Sequence, residues 1–573
     1  MKTSQFGHRV LFPAIILALL VSLTIGCTAV APTSTPVPPA QPAQPAAPTV
    51  APQPTSVVTP ATPTSISMIP SPTRVLPTPT FAVGESPVYG GMLRYMDNID
   101  GTSLDSADLT GLTQRAMAEA IYEKLVDVDT EFRMVPRLAG SWDISSDGKN
   151  ITFHIVQGAS FQDGASLNAQ AIKAHFDRIL DPSVGSRYRG DFVSTVDSIT
   201  ADNDYALTFH LKSANRAFFA VLADYAGFIE SPSAVKKYNS YSNPKTGDYA
   251  RNPVGTGPFK LTEWTTGSRM TASRSDSYRT KGLPYLDSFR ILHVPEQQVQ
   301  LAMLRTGEGD ISYNIRAADV SVLKANPSLK LAVLEAGTVR GIAFSVDTAP
   351  YNNKDLRSAI AYSIDRQTLA NTYYAGQAQP AYTALSNGWG ANPGIIAYAY
   401  DAQKAKQKLS DAGYSNGVSI TYWCQSTAES LQLCETNQSF MKAVGIDAKI
   451  QPAAPSEYFA MLQRREIHMI DRFRFPRADP SYMLDQLFYT KGSSNPQGYS
   501  NLEVDKLLDQ ARGTYDTAQA KKSYDQAQKI IADDIPWVFL VWQKQSVGLN
   551  KNVKNFELIP DLYLRPAAIW LAK

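Results

Sequence analysis

Apolar residues along this chain repeat with two periods, and the switches between them outline its elements. After Asn168, the residues Ile172, Phe176, Ile179 and Leu180 share one side of a helical period, so Asn168 is the expected cap and Asp181-Pro182 the stop. Asp401 stands in the same relation to Ala405, Leu409 and Ala412, with Gly413 as a left-handed stop. A third helix is expected from Asp516 through Ala520, Tyr524, Ala527 and Ile531. Alternation with a period of two predicts strands over residues 259–264, 418–423 and 467–471, and the unbroken apolar run 537–542 predicts a buried strand. Asp147-Gly148 and Asp163-Gly164 read as hairpin turns, because Gly tolerates positive φ and Asp can bond its own turn. Alternating strands and helices of this kind predict an α/β fold.

The first 84 residues lack this pattern. Lys2 and Arg9 precede an apolar run over residues 10–23, shorter than the ~20 residues a bilayer span requires, and small residues follow, which reads as a secretory signal. The run ends Thr24-Ile25-Gly26-Cys27, similar to a bacterial lipobox, although Thr24 stands where Leu is usual. On that reading residues 1–26 are the signal peptide and Cys27 takes the lipid; an ordinary cleaved signal with an incidental Cys, or an uncleaved anchor, are the alternatives. Residues 28–84 hold 15 of the chain's 37 prolines, no Asp, Glu or Lys, and the single Arg74. Such a composition cannot bury enough apolar surface to offset its ordering entropy, so 27–84 is expected to be an extended tether.

The remainder is too long for one core and sufficient for two or three lobes. A formal charge of +2 shows no basic excess, which argues against nucleic acid, and no second apolar stretch reaches membrane length. Besides Cys27 there are only Cys424 and Cys434, which an oxidising compartment could pair or which could remain buried thiols. With no His pair nearby they make a poor metal site. The zinc-protease, phosphate-loop, dinucleotide and Cys-x-x-Cys patterns are all absent from the sequence, so no enzyme, cofactor or metal is expected.

Five motifs occur in order: Leu138-Ala139-Gly140-Ser141-Trp142; Phe161-Gln162-Asp163-Gly164; Asn252-Pro253-Val254-Gly255-Thr256-Gly257-Pro258-Phe259; Leu304-Arg305-Thr306-Gly307-Glu308-Gly309-Asp310-Ile311; and Ser358-Ala359-Ile360-Ala361-Tyr362-Ser363-Ile364-Asp365-Arg366. As a set, from about Tyr89 to the C-terminus, they resemble family 5 solute-binding proteins, the extracytoplasmic receptors of peptide, nickel and related ABC importers. The resemblance implies a periplasmic-binding-protein type II fold with three hinged lobes. A first lobe would take 85–116, 246–344 and 546–573, an extra lobe 117–245 and a far lobe 345–545, with crossings near Phe344 and Gln545. It implies a monomeric receptor at the outer face of the cell membrane, held by lipid alone, that passes a small solute to an ABC permease and ATPase. A receptor for an oligosaccharide or another non-peptide or anionic solute is the alternative, with an envelope sensory protein or hydrolase further off.

Candidate solute contacts lie on two walls. In the far lobe, Asn387-Gly388-Trp389-Gly390 puts an indole on a loop, and Trp423 ends a strand and could equally be core. Residues 471–482 hold Arg472, Arg474 and Arg477 among Phe473 and Phe475, followed by Tyr482. Period two puts Arg472 and Arg474 on one face, so that face could present guanidinium groups to an anionic or hydroxyl-rich solute. Phe473, Arg474 and Tyr482 are the contacts expected there, with His468 a weaker candidate. In peptide-binding members an aspartate four residues before the Asp479-Pro480 proline pairs with the peptide's amino group; Pro476 stands there, unless Asp471 or Asp479 serves instead. On the first-lobe wall, Asn98, Asp100 and Thr102 are expected to face solute and Asp105 to cap a helix.

Overall fold

The computed structural model describes residues 86–386, 388–475, 479–492 and 494–573; Cys27, the signal, the tether, Asn387, Pro476 and Arg477 lie outside the described residues. The three helices expected from periodicity are present. Asn168 Oδ1 accepts from Ala171 N–H at 2.9 Å and starts Ala169–Leu180, which buries Ile172, Phe176 and Ile179. Asp401 caps Ala402–Asp411 with Gly413 left-handed at φ +91°, and Asp516 caps Thr517–Asp534. The strand expected over 467–471 begins later, as Met469–Arg474, and the run from Trp537 extends to Asn550.

An eleven-stranded mixed sheet forms the backbone of the molecule. Its order is Ile446–Ala453, Val418–Gln425, Met469–Arg474, Leu329–Phe344, Trp537–Asn550, Ile311–Ser312, Met92–Asp97, Ser288–His293, Arg269–Arg274 and Phe259–Thr265, with Ala378–Pro380 also paired to Trp537–Asn550. Two long antiparallel strands, Leu329–Phe344 and Trp537–Asn550, run through the middle and change neighbours along their length. Residues Leu549 and Gly548 pair with Ile311 and Ser312, while Val339 to Phe344 pair with Arg474 to Met469. The register breaks between Leu334 and Thr338 and between Arg340 and Gly341. Phe344 lies at the end of its strand, opposite Met469, so the change of neighbours occurs earlier in the chain than Phe344.

A separate four-stranded antiparallel sheet, Ala139–Ile144, Asn150–Ile155, Ala206–Leu211 and Val196–Asn203, packs on Ala169–Leu180 and has its own core around Phe153, Phe176, Phe209 and Phe219. Gly255 and Gly257, leading into Phe259–Thr265 of the large sheet, lie against the end of helix Gly111–Ile121. A Cβ on Gly255 would come 2.3 Å from Ile121 O, and one on Gly257 would come 2.5 Å from Ile121 C. Close backbone approach is therefore what these glycines supply, reinforced by a 2.8 Å bond from Gly257 N–H to Ile121 O.

Arg366 of the 358–366 motif and Arg357 just before it explain its character. Arg366 is buried and donates to the carbonyls of Phe539, Ala361 and Tyr398 at 2.7, 3.2 and 3.0 Å. Arg357 does likewise to Ile535, Tyr351 and Asp534. These guanidiniums tie helices to the Trp537–Asn550 strand and its lead-in.

Candidate functional site

The expected contacts divide between the two halves of the large sheet. Asn98, Asp100 and Thr102 follow Met92–Asp97 in one half; Trp389, Trp423, Phe473, Arg474 and Tyr482 belong to the other. Asn98 and Thr102 are exposed. Thr102 Oγ1 accepts from Gln114 Nε2 at 3.3 Å, and Asp100 Oδ2 accepts from Gly267 N–H at 2.6 Å, so Asp100 fixes a turn within its own half.

Asp105 does not cap a helix. Helix Gly111–Ile121 starts at Thr110, and Asp105 is instead fully buried against Arg178, with bonds of 2.8 and 2.7 Å. Arg178 also holds Glu230 at 2.7 Å, and Ser106 Oγ donates to Glu230 at 2.6 Å. Burial, then the Glu230 charge, push the Asp105 carboxyl up to about 6 against the pull of Arg178. Burial acts upward on Glu230 too, but Arg178 and His175 outweigh it and hold Glu230 down at about 2.

The opposite wall is built on Met469–Arg474. Alternation places its residues as the sequence implies, but the environments differ from expectation. Asp471 and Phe473 face Arg340 of the neighbouring strand: the Arg340 guanidinium lies 5.0 Å over the Phe473 ring and 3.6 Å from Asp471 Oδ2, and it binds Glu429 at 2.6 Å. Asp471 is completely buried, bonded to Ser430 Oγ at 2.6 Å, and its carboxyl is raised by burial. Its Oδ1 has no partner among the described residues.

On the other face, Arg472 is a buried residue and does not present its guanidinium outward with Arg474. Nη2 donates to Ser494 O at 2.7 Å, the group lies 5.2 Å over Trp537, and Nη1 is without a partner among the described residues. Burial first, then the adjacent Arg474 charge, lower its pKa well below the ordinary value. Arg474 is half-buried at the strand's end, opposite Val339, and Phe475 beyond it is 42% exposed.

Helix Pro480–Phe488 continues this wall. Asp479 caps it, accepting from Ser481 N–H at 3.0 Å and Ser481 Oγ at 2.6 Å, so this carboxylate is committed. Tyr482 is half-buried on the first turn. Gly390 allows its loop onto the helix start, since a Cβ there would meet Pro480 Cγ at 2.1 Å. Trp389 is half-buried against Tyr524 at 5.6 Å, with Arg216 of the four-stranded sheet's loop 4.2 Å above its ring. Trp423 is also half-buried and packs on the core that contains Ile470 and Trp537. His468 sits at the start of the strand, at the end remote from Arg474, 3.2 Å from Ser345 Oγ. Cys424 and Cys434 are joined as a disulfide, Cα–Cα 6.6 Å, between Val418–Gln425 and Ala428–Lys442.

Sequence reasoning missed Arg216, Arg340, Tyr515 and Asp485. Each makes its contacts across long stretches of chain, and no local spacing announces them. Among the described residues no cluster of three or more His, Cys, Asp or Glu could hold a metal ion, and no helix is long and apolar enough to cross a membrane.

The family described as bacterial extracellular solute-binding proteins, family 5 Middle, matches residues 133–495. The chain belongs to this family. Glutathione-binding protein GsiB of Escherichia coli (strain K12) is 31% identical over 478 residues, covering 80% of this chain and 90% of that protein. Among solved structures, the ABC transporter-associated periplasmic binding protein DppA from Helicobacter pylori, in complex with peptide STSA, superposes with a TM-score of 0.75 at 26% identity, covering 85% of this chain and 99% of that one. AgaA from A. tumefacien R10, in complex with agropinic acid, gives 0.73 at 25% identity over 84% and 99%. The family 5 resemblance and the type II periplasmic-binding-protein fold read from the motifs are borne out. The family 5 protein is an extracytoplasmic solute-binding component of an ABC importer, and its relatives are binding proteins.

Proposed function

We propose that this family 5 receptor is held to the membrane by a lipid on Cys27 and captures an anionic, peptide-type solute, which it delivers to an ABC permease and ATPase without chemistry of its own. The observation that carries the cargo reading is the charge arrangement on the Met469–Arg474 wall. Arg472 and Arg474 lie two residues apart on one face, while Asp471 is buried beside Arg340 and Asp479 is committed to its helix. A solute with more carboxylates than ammonium groups suits such a wall, because an ion buried without a partner costs several kcal/mol. This wall carries Arg474 at its edge and keeps Arg472 and its carboxylates inside. The names of the relatives agree with such a class: one is a glutathione-binding protein, and one structure holds agropinic acid.

The three-lobe division at 116, 245, 344 and 545 is part of this reading. It is supported by the separate core of the four-stranded sheet and by the change of neighbours along Leu329–Phe344, where closure would bend the molecule. Asn98, Asp100 and Thr102 would then face Trp389, Trp423, Phe473, Arg474 and Tyr482 across the solute.

Calorimetric titration of the mature chain with glutathione and with a neutral free-amino dipeptide tests the cargo. Glutathione, with two carboxylates to one ammonium, should bind more tightly than the neutral dipeptide, and Arg474→Ala should weaken glutathione by about tenfold or more, the scale of one charge-assisted bond. Dipeptide binding that survives Arg474→Ala and disappears in Asp471→Asn would overturn it. For the anchor, Cys27→Ala should leave the membrane fraction; a variant that stays there with unchanged mass sinks the lipid reading.

A further inference from the structure

The four-stranded sheet touches the solute wall through two residues that no functional role yet absorbs. Tyr515, between helices Leu502–Arg512 and Thr517–Asp534, leaves its own half of the molecule and enters the sheet's core, where it is 8% exposed. Its ring meets Phe219 edge-on at 6.4 Å, and its hydroxyl donates to Gly148 O at 3.2 Å. Gly148, at φ +70°, forms the socket: a Cβ there would lie 2.9 Å from the Tyr515 ring. The turn Asp147-Gly148 therefore receives a side chain from elsewhere as well as reversing the chain.

Arg216 reaches the other way and is 7% exposed. It lies over Trp389 and approaches Asp479 Oδ2 at 3.4 Å, Thr514 O at 3.4 Å and Thr517 Oγ1 at 3.5 Å, while its backbone N–H donates to Arg512 O at 2.9 Å. Asp479 caps the helix that carries Tyr482, so Arg216 grips the wall at its first turn. Its side-chain bonds are all long for N–H···O contacts and can be exchanged for water at little cost, whereas the Tyr515 ring must be withdrawn from an apolar core.

We infer that Arg216 and Tyr515 form a clasp, separate from the two crossing strands, that holds the four-stranded sheet against the Trp389–Asp479 wall in the closed receptor and sets how long closure lasts. Opening then requires Tyr515 to leave its socket at Gly148 and Arg216 to release Asp479. The inference goes beyond the cargo proposal and holds whichever solute is carried.

Spin labels on exposed Asp197→Cys and Lys522→Cys, in the full chain carrying Cys27→Ser, read the separation of the sheet from helix Thr517–Asp534. The parent should give one dominant distance. Arg216→Ala and Tyr515→Ala should each add a longer population, and Tyr515→Phe, which keeps the ring and loses only the bond to Gly148 O, should match the parent. Identical distributions in Arg216→Ala and the parent overturn the clasp; if Tyr515→Ala does not fold, Arg216→Ala decides alone. With glutathione as probe, Arg216→Ala should speed dissociation by about tenfold and leave association nearly unchanged, as expected when contacts formed after encounter are removed. Failure of glutathione to bind the parent would count against the cargo proposal only, since the label distances require no solute.

Discussion

Two arginines of the four-stranded-sheet region bind carboxylates of other parts of the chain, and they do so in opposite ways. Arg178 makes four side-chain bonds to Asp105 and Glu230 and to Ser240 O at 2.7 to 3.1 Å, and all three ions are at most 2% exposed. Arg216 faces a single carboxylate, Asp479, at 3.4 Å and shares its charge with an indole and two long contacts. A buried ion held by short bonds on every side fixes two segments together, because removing one partner strands the others. An ion held by long bonds to several elements makes a contact that can come and go. The first joins the sheet to the loop after Met92–Asp97; the second touches the opposite wall. The difference assigns the permanent seam to Arg178 and the reversible one to Arg216.

The harshest way to break this contrast is Arg178→Met. It leaves Asp105 and Glu230 buried without their cation and should cost about 3–5 kcal/mol, read as a lower urea midpoint. A change under ~1 kcal/mol would remove the distinction between the seams. Acidity sharpens it next. Asp485, beside Arg512 near the Arg216 contact, is pushed up to about 7 by burial, with the Asp479 and Asp509 charges adding and Arg512 opposing. Its folded value exceeds the unfolded 3.8, so the folded state binds the extra proton, and the stability this gives below about pH 4 is lost as pH rises towards 7. Asp105 acts in the same direction over a shorter window, ending near 6. Urea midpoints between pH 4 and 7 should therefore flatten in Asp485→Asn across the whole range, and in Asp105→Asn only below about 6. Arg216→Ala should cost least, ~1–2 kcal/mol, from one cation–π contact and long hydrogen bonds. A loss as large as that of Arg178→Met would mean that both seams are permanent.

Much of the scaffold was legible because its signals are local. Asn168, Asp401 and Asp516 each sit directly before an apolar helical stripe, and each caps the helix it predicts. The site was less legible because its energetics depend on partners far along the chain. Alternation correctly put Arg472 and Arg474 on one face, yet only the packing of Trp537 and Ser494 makes Arg472 a buried group. Asp105 carries the signature of a cap, and the competing buried cation, Arg178, comes from a helix 73 residues later. The arginine in Asn215-Arg216-Ala217 has no local signature at all; its significance comes from residues 389, 479 and 514.

The two long strands at the middle of the large sheet carry a mechanical consequence. The Met92–Asp97 half and the Met469–Arg474 half share two continuous backbones, Leu329–Phe344 and Trp537–Asn550, laid side by side. Paired residues on either side resist bending, so bending would concentrate where the ladder is interrupted, between Leu334 and Thr338 and between Arg340 and Gly341. The pair of strands is thus built like a leaf spring with two thinned sections. If the lobes close as proposed, flexing about those sections would keep the strand pairing that loops could not supply.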